Sequence, residues 1–491
     1  MTSDFERVCR TLKTKIKEND LKCITDLSNI RKLPHLLRSS NWELTLTIYE
    51  RDQEKEIITF EPGDSSKRNY GIAVDVGTTT IAASLVDMNT GKILKTEITF
   101  NKQGTFGEDI ITRIVHSEKK GGLEQLHHLV SETINELISN LCKKTLVNLN
   151  DIYCVICSGN TTMIHLLLKV PPSYLRREPY IAVSNFFPVV KAAETGIRIN
   201  PSGVLEIIGG GYAYVGGDIT SGILVSGIYK KEEVSLFIDV GTNGEIVLGN
   251  KDYLVCCSAS AGPAFEGSGV KDGMRAVSGA INKFEIVNGK SKYFTINDEK
   301  PSGICGSGYI EIIYELYKSG IIDRSGVLKN DMEGVRKGDE GYEFVIARKE
   351  ETSTGKDIVI TQVDIENLLR AKAAIFSAMH ILLKSTGLEF NSIERVYVAG
   401  GFGSYLNIGK SIGIGLLPCI EKEKIEFIGN SSLHGAIAYL LSKEGRKIAR
   451  EIVSKLTYID LSRNNEYMEE YLRALFIPHT NTELFECLKN D

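Results

Sequence analysis

The sequence lacks the features that mark membrane, secreted and nucleic-acid-binding proteins. It has no run of about 20 apolar residues, the length that a helix needs to span a bilayer, and its N-terminus, MTSDFERVCRTLKTKIKEND, contains no apolar segment of signal-peptide type. The formal net charge of −5 is small and evenly spread, which argues against nucleic-acid binding. We therefore expect a cytoplasmic protein whose partners include neither a membrane nor nucleic acid.

The ten cysteines are too sparse for a disulfide scaffold, and a reducing compartment would keep them as thiols. Cys154 and Cys157 form a C-x-x-C pair, but they lie in the mostly apolar run DIYCVICSGN, with no second pair nearby to complete a four-ligand metal site. Cys256 and Cys257 are adjacent, which suits neither a tetrahedral metal site nor an easy disulfide. The pattern predicts buried thiols at these four positions.

Length and composition predict about three domains, at roughly 150 residues for each. In residues 1–68, helical stretches around Phe5–Ile16 and Leu27–Leu37 precede the alternating runs NWELTLTIYE and EIITFEPGD, which indicate a hairpin. The turn-forming segment EPGDSSKRN ends this small α/β domain. We expect residues 69–225 and 226–491 to form two larger lobes.

The two larger parts begin with the same arrangement of predicted strands. GIAVDVGTTTIAASLVDMNTGKILKTEI indicates an apolar strand, a Gly/Thr loop and two further strands, and VSLFIDVGTNGEIVLGNKDYLVCCSAS repeats this order. Asp75 and Asp239, which begin the shared Asp-Val-Gly-Thr sequence, are 164 residues apart. Duplication of one unit explains this period and predicts two α/β lobes that face each other across a cleft.

Each Asp-Val-Gly-Thr loop has the residue types that bind phosphate and a metal ion. Glycine permits a tight turn, backbone N–H groups and threonine hydroxyls bond phosphate oxygens, and a carboxylate at a strand end holds Mg²⁺ through water. One such loop alone is more often an ordinary hairpin, whereas two loops that face one cleft predict a nucleotide site. The candidates are Asp75, Gly77, Thr78, Thr79 and Thr80 in the first loop and Asp239, Gly241, Thr242 and Asn243 in the second, with Asp75 and Asp239 as metal ligands.

A third glycine-rich segment, VYVAGGFGSYL, follows another apolar strand and predicts close approach of the backbone to an adenosine. Its candidate residues are Gly400, Gly401, Phe402 and Gly403. The order phosphate, phosphate, adenosine matches that of the actin-like ATPase fold. The segment lacks the G-K-[ST] ending of a Walker A loop, and IIGGGYAYVGGD is not placed like a dinucleotide fingerprint. ATP is therefore the predicted nucleotide.

Two further carboxylates are candidates for catalysis. Asp218 suits a general base or a group that positions water, although a turn aspartate is an equally good explanation. Glu245 follows the second phosphate loop and could orient the attacking water, but it could equally be an ordinary strand residue.

Four other residues could have either a role in the site or a structural role. Gly306 in GICGSG approaches the nucleotide or begins the following helix. Arg370 and Lys372 occupy a helix comparable to the adenosine-packing helix of the heat-shock chaperones, and solvated surface charge is the main alternative for both. His165 in TTMIHLLL fits a residue of the core better than a metal ligand.

Many ordered segments resemble one family, the ATP-dependent reductive activators of corrinoid proteins. They are VICSGNTTMIHLLLKV, VGGDITSGIL, CSASAGPAFEG, PSGICGSGYIEIIYELYKSGIID, TQVDIENLLRAKAAI, VAGGFGSYL, IGLLP, IGNSSLHGAIAYLL and YIDLSRNNEYMEEYLRALFIPH. The opening KLPHLLRSSNWELTLTI and EPGD also resemble that family's middle domain, so the resemblance runs from about Asp20 to Asn481. It implies an α/β, actin-like ATPase fold of two duplicated ribonuclease-H-like lobes with a small N-terminal domain.

The family uses ATP to drive the uphill reduction of an inactive cob(II)amide to cob(I)amide. The resemblance therefore implies ATP and Mg²⁺ as cofactors, a corrinoid protein as partner and a homodimer. Family members commonly carry a [2Fe–2S] domain with four closely spaced cysteines, whereas here Cys9 and Cys23 precede the middle-type domain and Cys419 and Cys487 lie near the C-terminus. We expect no Fe–S cluster in this chain and a separate low-potential electron donor.

Three functions stay open on the sequence alone. The first is an ATPase that activates a corrinoid protein, in which catalysis is mainly positioning and electrostatic stabilisation of the transferring phosphoryl group. The second is a small-molecule kinase of the same fold, which would consume ATP only with its acceptor. The third is a nucleotide-dependent interaction module without a redox role.

Overall fold

The computed structural model of the chain describes residues 2–17, 22–50, 54–400 and 406–490. Helices and strands occur throughout these ranges, and none of the helices found there is long and apolar enough to cross a membrane. The chain divides into two compact units, of which the first comprises Met1–Gly209 with Gly435–Lys447 and the second Gly210–His434 with Ile448–Asp491.

The N-terminal part of the first unit is a three-stranded sheet with two helices. The elements are α1 (Asp4–Ile16), β1 (Lys22–Thr25), α2 (Leu27–Ser39), β2 (Leu44–Glu50) and β3 (Glu54–Pro62). The sheet order is β1-β3-β2, with β2 and β3 antiparallel. The side chains of Ser3 and Asp26 accept hydrogen bonds at the N-termini of α1 and α2, where a helix leaves backbone N–H groups unpaired. These elements confirm both predicted helices and the hairpin.

A six-stranded sheet fills the rest of the first unit. Its strands are β4 (Tyr70–Val76), β5 (Thr80–Asp87), β6 (Ile93–Phe100), β7 (Ile152–Gly159), β8 (Val190–Lys191) and β9 (Val204–Ile207), and the helices beside it are α3 (Ile110–Ser117), α4 (Gly122–Thr145) and α5 (Thr161–Leu167). The order is β6-β5-β4-β7-β9-β8. Apolar residues of α4 and of β4, β5 and β7 share one buried cluster, so this face of the sheet holds the core of the unit.

The second unit begins with α6 (Gly217–Ser226) and has its own six-stranded sheet and two smaller sheets. Its further elements are β10 (Ser235–Val240), β11 (Gly244–Gly249), β12 (Leu254–Ala259), β13 (Ala280–Val287), β14 (Lys290–Thr295), β15 (Gly303–Ile304), α7 (Gly306–Lys318), β16 (Val335–Gly338), β17 (Gly341–Ala347), β18 (Ile358–Thr361), α8 (Gln362–Ser385), β19 (Arg395–Ala399), α9 (Ile408–Gly413), β20 (Ile425–Gly429), α10 (Ser431–Leu441), α11 (Lys443–Lys455), β21 (Leu456–Tyr458) and α12 (Asn465–Ala474). The parts of α10 and α11 between residues 435 and 447 belong to the first unit.

The two six-stranded sheets repeat one topology. The order β6-β5-β4-β7-β9 in the first unit corresponds to β12-β11-β10-β19-β20 in the second. In each sheet, three strands that are consecutive in the chain pair antiparallel: β4, β5 and β6 in the first unit, and β10, β11 and β12 in the second. Two further strands continue the sheet in parallel beyond the first of these: β7 and β9 beyond β4, and β19 and β20 beyond β10. The duplication predicted from the repeated Asp-Val-Gly-Thr sequence is therefore confirmed at the level of strand order and direction.

The long helix α8 packs on the sheet of the second unit. A Cβ atom at Gly244 would lie 2.8 Å from Cγ1 of Ile375, so glycine is needed where α8 meets β11. Thr361 and Asp364 form a capping box at the start of α8. Gly387 follows the C-cap residue Thr386 with a φ of 69°, a left-handed conformation that favours glycine at the end of a helix.

Of the ten cysteines, five are buried thiols, three are half-buried thiols and two form a disulfide. Cys154, Cys157, Cys256 and Cys257 are buried and unpaired by disulfides, as predicted. Cys419 and Cys487, which the sequence predicts as thiols, instead form a disulfide with Cα atoms 6.0 Å apart. The prediction was wrong because 68 residues separate the two cysteines and only the fold brings the C-terminal segment beside residue 419.

Candidate functional site

The loop after Asp75, the predicted first phosphate loop, connects β4 to β5 in the first unit. Asp75 is the second-last residue of β4, and its register partners are Ala82 on β5 and Ser158 on β7. A Cβ atom at Gly77 would lie 2.3 Å from the carbonyl oxygen of Thr80. The loop therefore closes so tightly that only glycine fits at position 77.

A buried asparagine supports this loop from behind. The Nδ2 group of Asn101 donates to the carbonyl oxygen of Gly77 at 2.9 Å, and the backbone N–H of Asn101 donates to the carbonyl oxygen of Thr79 at 2.9 Å. The side chain of Asn101 is 4% exposed. Asn101 follows β6 and belongs to no recognised motif, so the sequence did not identify its support of the loop.

The support continues into the core of the first unit. Nε2 of Gln103 donates to the carbonyl oxygen of Leu126 on α4 at 2.8 Å. A guanidinium N–H of Arg113 donates to Oε1 of Gln103 at 3.3 Å, and Nε of Arg113 donates to the carbonyl oxygen of Gly107 at 2.8 Å. Burial lowers the pKa of Arg113 to about 10, so the side chain stays charged at neutral pH. This network holds the segment that carries Asn101.

The second phosphate loop connects β10 to β11. Its last paired residues, Val240 and Gly244, enclose three residues, whereas Val76 and Ile81 of the first hairpin enclose four. Asp239 pairs in register with Glu245 on β11 and with Ala399 on β19. A Cβ atom at Gly241 would meet nothing closer than 3.8 Å, the carbonyl oxygen of Asn243. A methyl group would therefore fit at position 241 without a clash, so the fold alone does not require glycine there.

Three predicted carboxylates of the second unit come together beside this loop. Glu245 is 7% exposed, and its pKa is raised well above the usual value by burial and then by the negative charges of Asp218 and Asp239. Asp218 lies in the first turn of α6, and Oγ of Ser258 donates to Oε1 of Glu245 at 3.3 Å. The predicted catalytic residues Asp218, Asp239 and Glu245 are therefore neighbours.

The carboxylates fit the way proteins hold Mg²⁺. Within the described ranges, no group of three or more His, Cys, Asp or Glu side chains is arranged to hold a metal ion by itself. Mg²⁺, however, usually takes one or two carboxylates, and phosphates and water complete its octahedron. Asp239 and Glu245 at a strand end supply such a pair, and a cation beside them would offset the repulsion that raises the pKa of Glu245.

The third glycine-rich segment is described only at its start. Gly400 has a φ of 121°, and a Cβ atom there would lie 2.5 Å from the carbonyl oxygen of Val240, at the end of β10. Gly400 is therefore held against the second phosphate loop. The predicted contacts Gly401, Phe402 and Gly403 lie outside the described residues.

Three weaker candidates have structural surroundings of their own. Gly306 begins α7, where a Cβ atom would lie 2.0 Å from the carbonyl oxygen of Phe265, so the glycine is needed for packing. Arg370 is an exposed residue that contacts Asn367 and Glu366 on the same helix. His165 is buried with Nδ1 2.8 Å from the carbonyl oxygen of Thr161, and burial lowers its pKa, which confirms a core role.

Lys372 is buried in α8, away from any open surface. Its ammonium group donates to the carbonyl oxygens of Ala474, Phe476 and Pro478, the last two at 2.7 and 2.8 Å. An ammonium has three N–H groups, and these carbonyls take all of them. The geometry favours a structural role for Lys372, fastening the C-terminal segment, over the predicted contact with adenosine.

Glu266 contacts the predicted second phosphate loop, and the sequence did not reveal this contact. It ends the short 3-10 helix Pro263–Glu266 in the motif CSASAGPAFEG, and its Oε2 accepts a hydrogen bond from Oγ1 of Thr242 at 2.7 Å. Burial lowers the pKa of Arg275, and the negative charge of Glu266 acts in the opposite direction. An acidic residue therefore contacts the second phosphate loop, and a basic residue lies near enough to interact with its charge.

Three family models match successive parts of the chain. The RACo linker region matches residues 1–67, the RACo middle region matches residues 70–231, and the C-terminal domain of RACo, the ASKHA domain, matches residues 233–489. The N-terminal segment that resembles a middle domain by sequence thus corresponds to the linker region of the family.

The chain is also similar to characterised proteins along most of its length. It is 35% identical over 479 residues to the corrinoid activation enzyme RamQ of Eubacterium limosum, covering 92% of this chain and 80% of RamQ. It is 26% identical over 427 residues to the [Co(II) methylated amine-specific corrinoid protein] reductase of Methanosarcina barkeri, covering 79% of this chain and 73% of the reductase.

A solved structure agrees with the fold as well as with the sequence. The reductive activator for corrinoid, iron-sulfur protein superposes with a TM-score of 0.94 at 45% sequence identity, covering 99% of this chain and 78% of that one. The expected α/β fold of two duplicated lobes with a small N-terminal part is confirmed. The chain belongs to the RACo family of corrinoid-protein activators, within the actin-like ATPase superfamily.

Proposed function

We propose that this chain hydrolyses ATP to drive the reductive reactivation of a corrinoid protein. One electron passes from a separate low-potential donor to Co(II) and gives Co(I), while ATP and water give ADP and phosphate. The observation that carries this proposal is the buried carboxylate of Glu245 directly opposite the half-buried Asp239, beside a glycine loop with open space. The names of the relatives support the corrinoid protein as the partner.

Each phosphate loop has a distinct part in ATP binding. In the first unit, Thr78, Thr79 and Thr80 supply hydroxyls, and Asp75 ends the strand before them. In the second unit, Gly241 and Thr242 receive a phosphate, and Asp239 with Glu245 would hold Mg²⁺. A bound Mg²⁺ neutralises phosphate charge. Asp218 lies close enough to affect Glu245, and we assign it the orientation of the attacking water.

ATP hydrolysis must be linked to the partner for the uphill electron transfer to occur. A nucleotide shifts a conformational equilibrium only by its different affinities for the two states. By thermodynamic linkage, the corrinoid protein must then bind the ATP and ADP forms with different affinities. We propose that this difference allows the electron to reach cobalt while ATP is bound.

The proposed electron donor is a separate protein with an Fe–S cluster. Cys154 and Cys157 on β7, Cys256 and Cys257 on β12, and Cys305 at the N-cap of α7 are buried, and they pack as apolar side chains. Reduced Fe–S proteins reach the low potentials that Co(II) reduction requires.

Phosphate release from ATP tests the proposal directly. Purified chain is incubated with Mg·ATP, with and without a corrinoid protein in the Co(II) state. We expect the corrinoid protein to stimulate phosphate release, and the Asp239→Asn variant to abolish the stimulation. Formation of ADP that needs a small-molecule acceptor, releases no free phosphate and ignores the corrinoid protein would instead identify a kinase.

A further inference from the structure

The N-terminal helices α1 and α2 cover one face of the three-stranded sheet. Leu12 of α1 and Leu33 of α2 are buried in one apolar cluster with residues of β3, and Ile48 of β2 packs against it. The next residue, Tyr49, points to the opposite face, where its hydroxyl donates to the carboxylate of Glu206 on β9. The sheet is therefore covered on both faces, and the two helices turn their remaining sides to solvent.

These two helices concentrate positive charge. Together α1 and α2 contain seven Lys and Arg residues and two acidic residues, a net charge of +5, whereas the whole chain has a formal net charge of −5. Six of the seven basic residues are exposed. Both acidic residues are engaged at the start of α1, Asp4 with Arg38 at 2.8 Å and Glu6 in the capping box. Charges that are evenly spread along the sequence thus form a basic surface in the fold.

An exposed stripe runs along α2 within this surface. Its residues recur at helical spacing, so they share one side of the helix, and all are exposed. They are Leu27, Ile30, Arg31, Pro34 and Arg38. Leu27 is 61% exposed and Ile30 is 36% exposed. The stripe therefore offers apolar and basic side chains next to each other.

Trp42, the single tryptophan of the chain, follows this stripe. It is 48% exposed, and the guanidinium groups of Arg7 and Arg38 lie 4.5 and 5.5 Å from the centre of its ring. Its φ of 68° is a left-handed conformation that costs free energy in a bulky residue. Trp and Arg are among the residues that most often dominate the binding energy at protein interfaces. Trp42 and its two arginines thus have the composition of an interface anchor.

A low-potential Fe–S protein has the complementary charge. Four thiolate ligands give an Fe–S cluster a net negative charge, and each electron that the cluster takes up adds another. A basic surface attracts such a partner and orients it on approach. We propose that α1 and α2, with Trp42 as the anchor, dock the separate Fe–S electron donor. This inference rests on the proposed function and adds the surface on which its donor binds.

The fluorescence of the single tryptophan tests this docking surface. The whole chain is titrated with an oxidised ferredoxin that lacks tryptophan, because the Fe–S cluster absorbs light where tryptophan emits. We expect saturable quenching, with an affinity that falls at least roughly tenfold between about 0.05 M and about 0.5 M ionic strength. Arg31→Glu should weaken binding roughly tenfold at an unchanged unfolding temperature.

Arg198→Glu is the matched control. It reverses the same charge at an exposed arginine of the same unit, where Arg198 pairs with Glu132 at 3.2 Å. This variant should bind the ferredoxin as tightly as the wild type does.

Phosphate release stimulated by the corrinoid protein separates this inference from the proposed function, because that assay needs no electron donor. Arg31→Glu should release phosphate at the wild-type rate but reduce cobalt more slowly when the ferredoxin is limiting. If the wild type releases phosphate while the ferredoxin leaves Trp42 unquenched, the docking surface is wrong and ATP hydrolysis stands. Wild-type affinity for the ferredoxin in Arg31→Glu, or quenching by the corrinoid protein instead of the ferredoxin, overturns the docking surface in the same way. Docking without stimulated phosphate release would remove the proposed function alone.

Discussion

Glu245 lies directly opposite Asp239 across the antiparallel strands β10 and β11. In the first copy of the same hairpin, Ala82 lies opposite Asp75. The two copies therefore differ in charge at the residue that faces the shared aspartate. The first loop supplies threonine hydroxyls around one carboxylate, whereas the second brings together Asp239, Glu245 and Asp218. We propose phosphate binding for both loops. We propose Mg²⁺ binding for the second loop because a second carboxylate, that of Glu245, faces the shared aspartate there.

Removing the strand-end carboxylates should stop hydrolysis and leave the fold intact. We expect Asp75→Asn and Asp239→Asn each to lower the rate of phosphate release by about 10²-fold to 10³-fold, the usual cost of losing one electrostatic group. Both aspartates are only half-buried. Asp252→Asn, in the exposed turn between β11 and β12, is the control. Wild-type rates in both site variants would show that the site is elsewhere.

The two loop glycines should respond differently to alanine. At Gly241 the protein leaves room for a methyl group, so Gly241→Ala should unfold at the wild-type temperature but bind ATP at least about tenfold more weakly, by occupying space meant for phosphate. At Gly77 the methyl would clash with the carbonyl oxygen of Thr80 and distort the loop itself. Calorimetry and thermal unfolding measure both effects. Gly104→Ala is the control, because a Cβ atom there meets nothing within 4 Å. Normal ATP affinity in Gly241→Ala would count against a phosphate at this position.

Asn101 should matter for the first loop although it need not touch nucleotide. Asn101→Ala leaves the carbonyl oxygen of Gly77 without its side-chain donor, a loss of about 1–3 kcal/mol for a buried group. We expect weaker ATP binding and faster hydrogen exchange in residues 77–80. Asn89→Ala, in an exposed turn of the same unit, should change neither. Unaltered exchange in Asn101→Ala would show that the loop keeps its shape without this support.

Glu470 gives the stability of the second unit a pH dependence. Burial raises its pKa, but hydrogen bonds and charge from His380 and His479 outweigh this and hold the pKa well below its usual value of 4.5. Nδ1 of His380 is 2.6 Å and Nε2 of His479 is 3.1 Å from the same carboxylate oxygen. A lowered pKa stabilises the fold above pH 4.5, and this contribution is lost as the pH falls towards the folded pKa.

Glu470→Gln should therefore lower the free energy of unfolding by about 1–3 kcal/mol at pH 7. The difference from the wild type should shrink as the pH drops below 4.5, because the wild-type carboxylate then takes up a proton in the unfolded chain. Urea unfolding at a series of pH values measures it, with the exposed Glu469→Gln as the control. A difference that stays constant from pH 7 to pH 3 would contradict the assignment.

The sequence predicted the features of the fold that depend on hydrophobic periodicity and on local motifs. Alternating and helical spacing placed the elements, and the repeat of Asp-Val-Gly-Thr predicted two sheets of one topology. It could not reveal Asn101 behind Gly77 or Glu266 beside Thr242, because each contact joins segments 24 residues apart through side-chain geometry. Lys372 illustrates the same limit, since residues two apart on a helix point to different sides. Arg370 thus faces solvent while Lys372 is buried.

The reduction of cobalt by the complete system tests the central claim most directly. The chain, a corrinoid protein in the Co(II) state, a reduced low-potential Fe–S donor and Mg·ATP are combined without oxygen, and the absorbance change from Co(II) to Co(I) is followed. We expect reduction only when all four are present, and none when Asp239→Asn replaces the wild-type chain. Reduction at the same rate and extent without the chain, or with the chain but without ATP, would contradict the account.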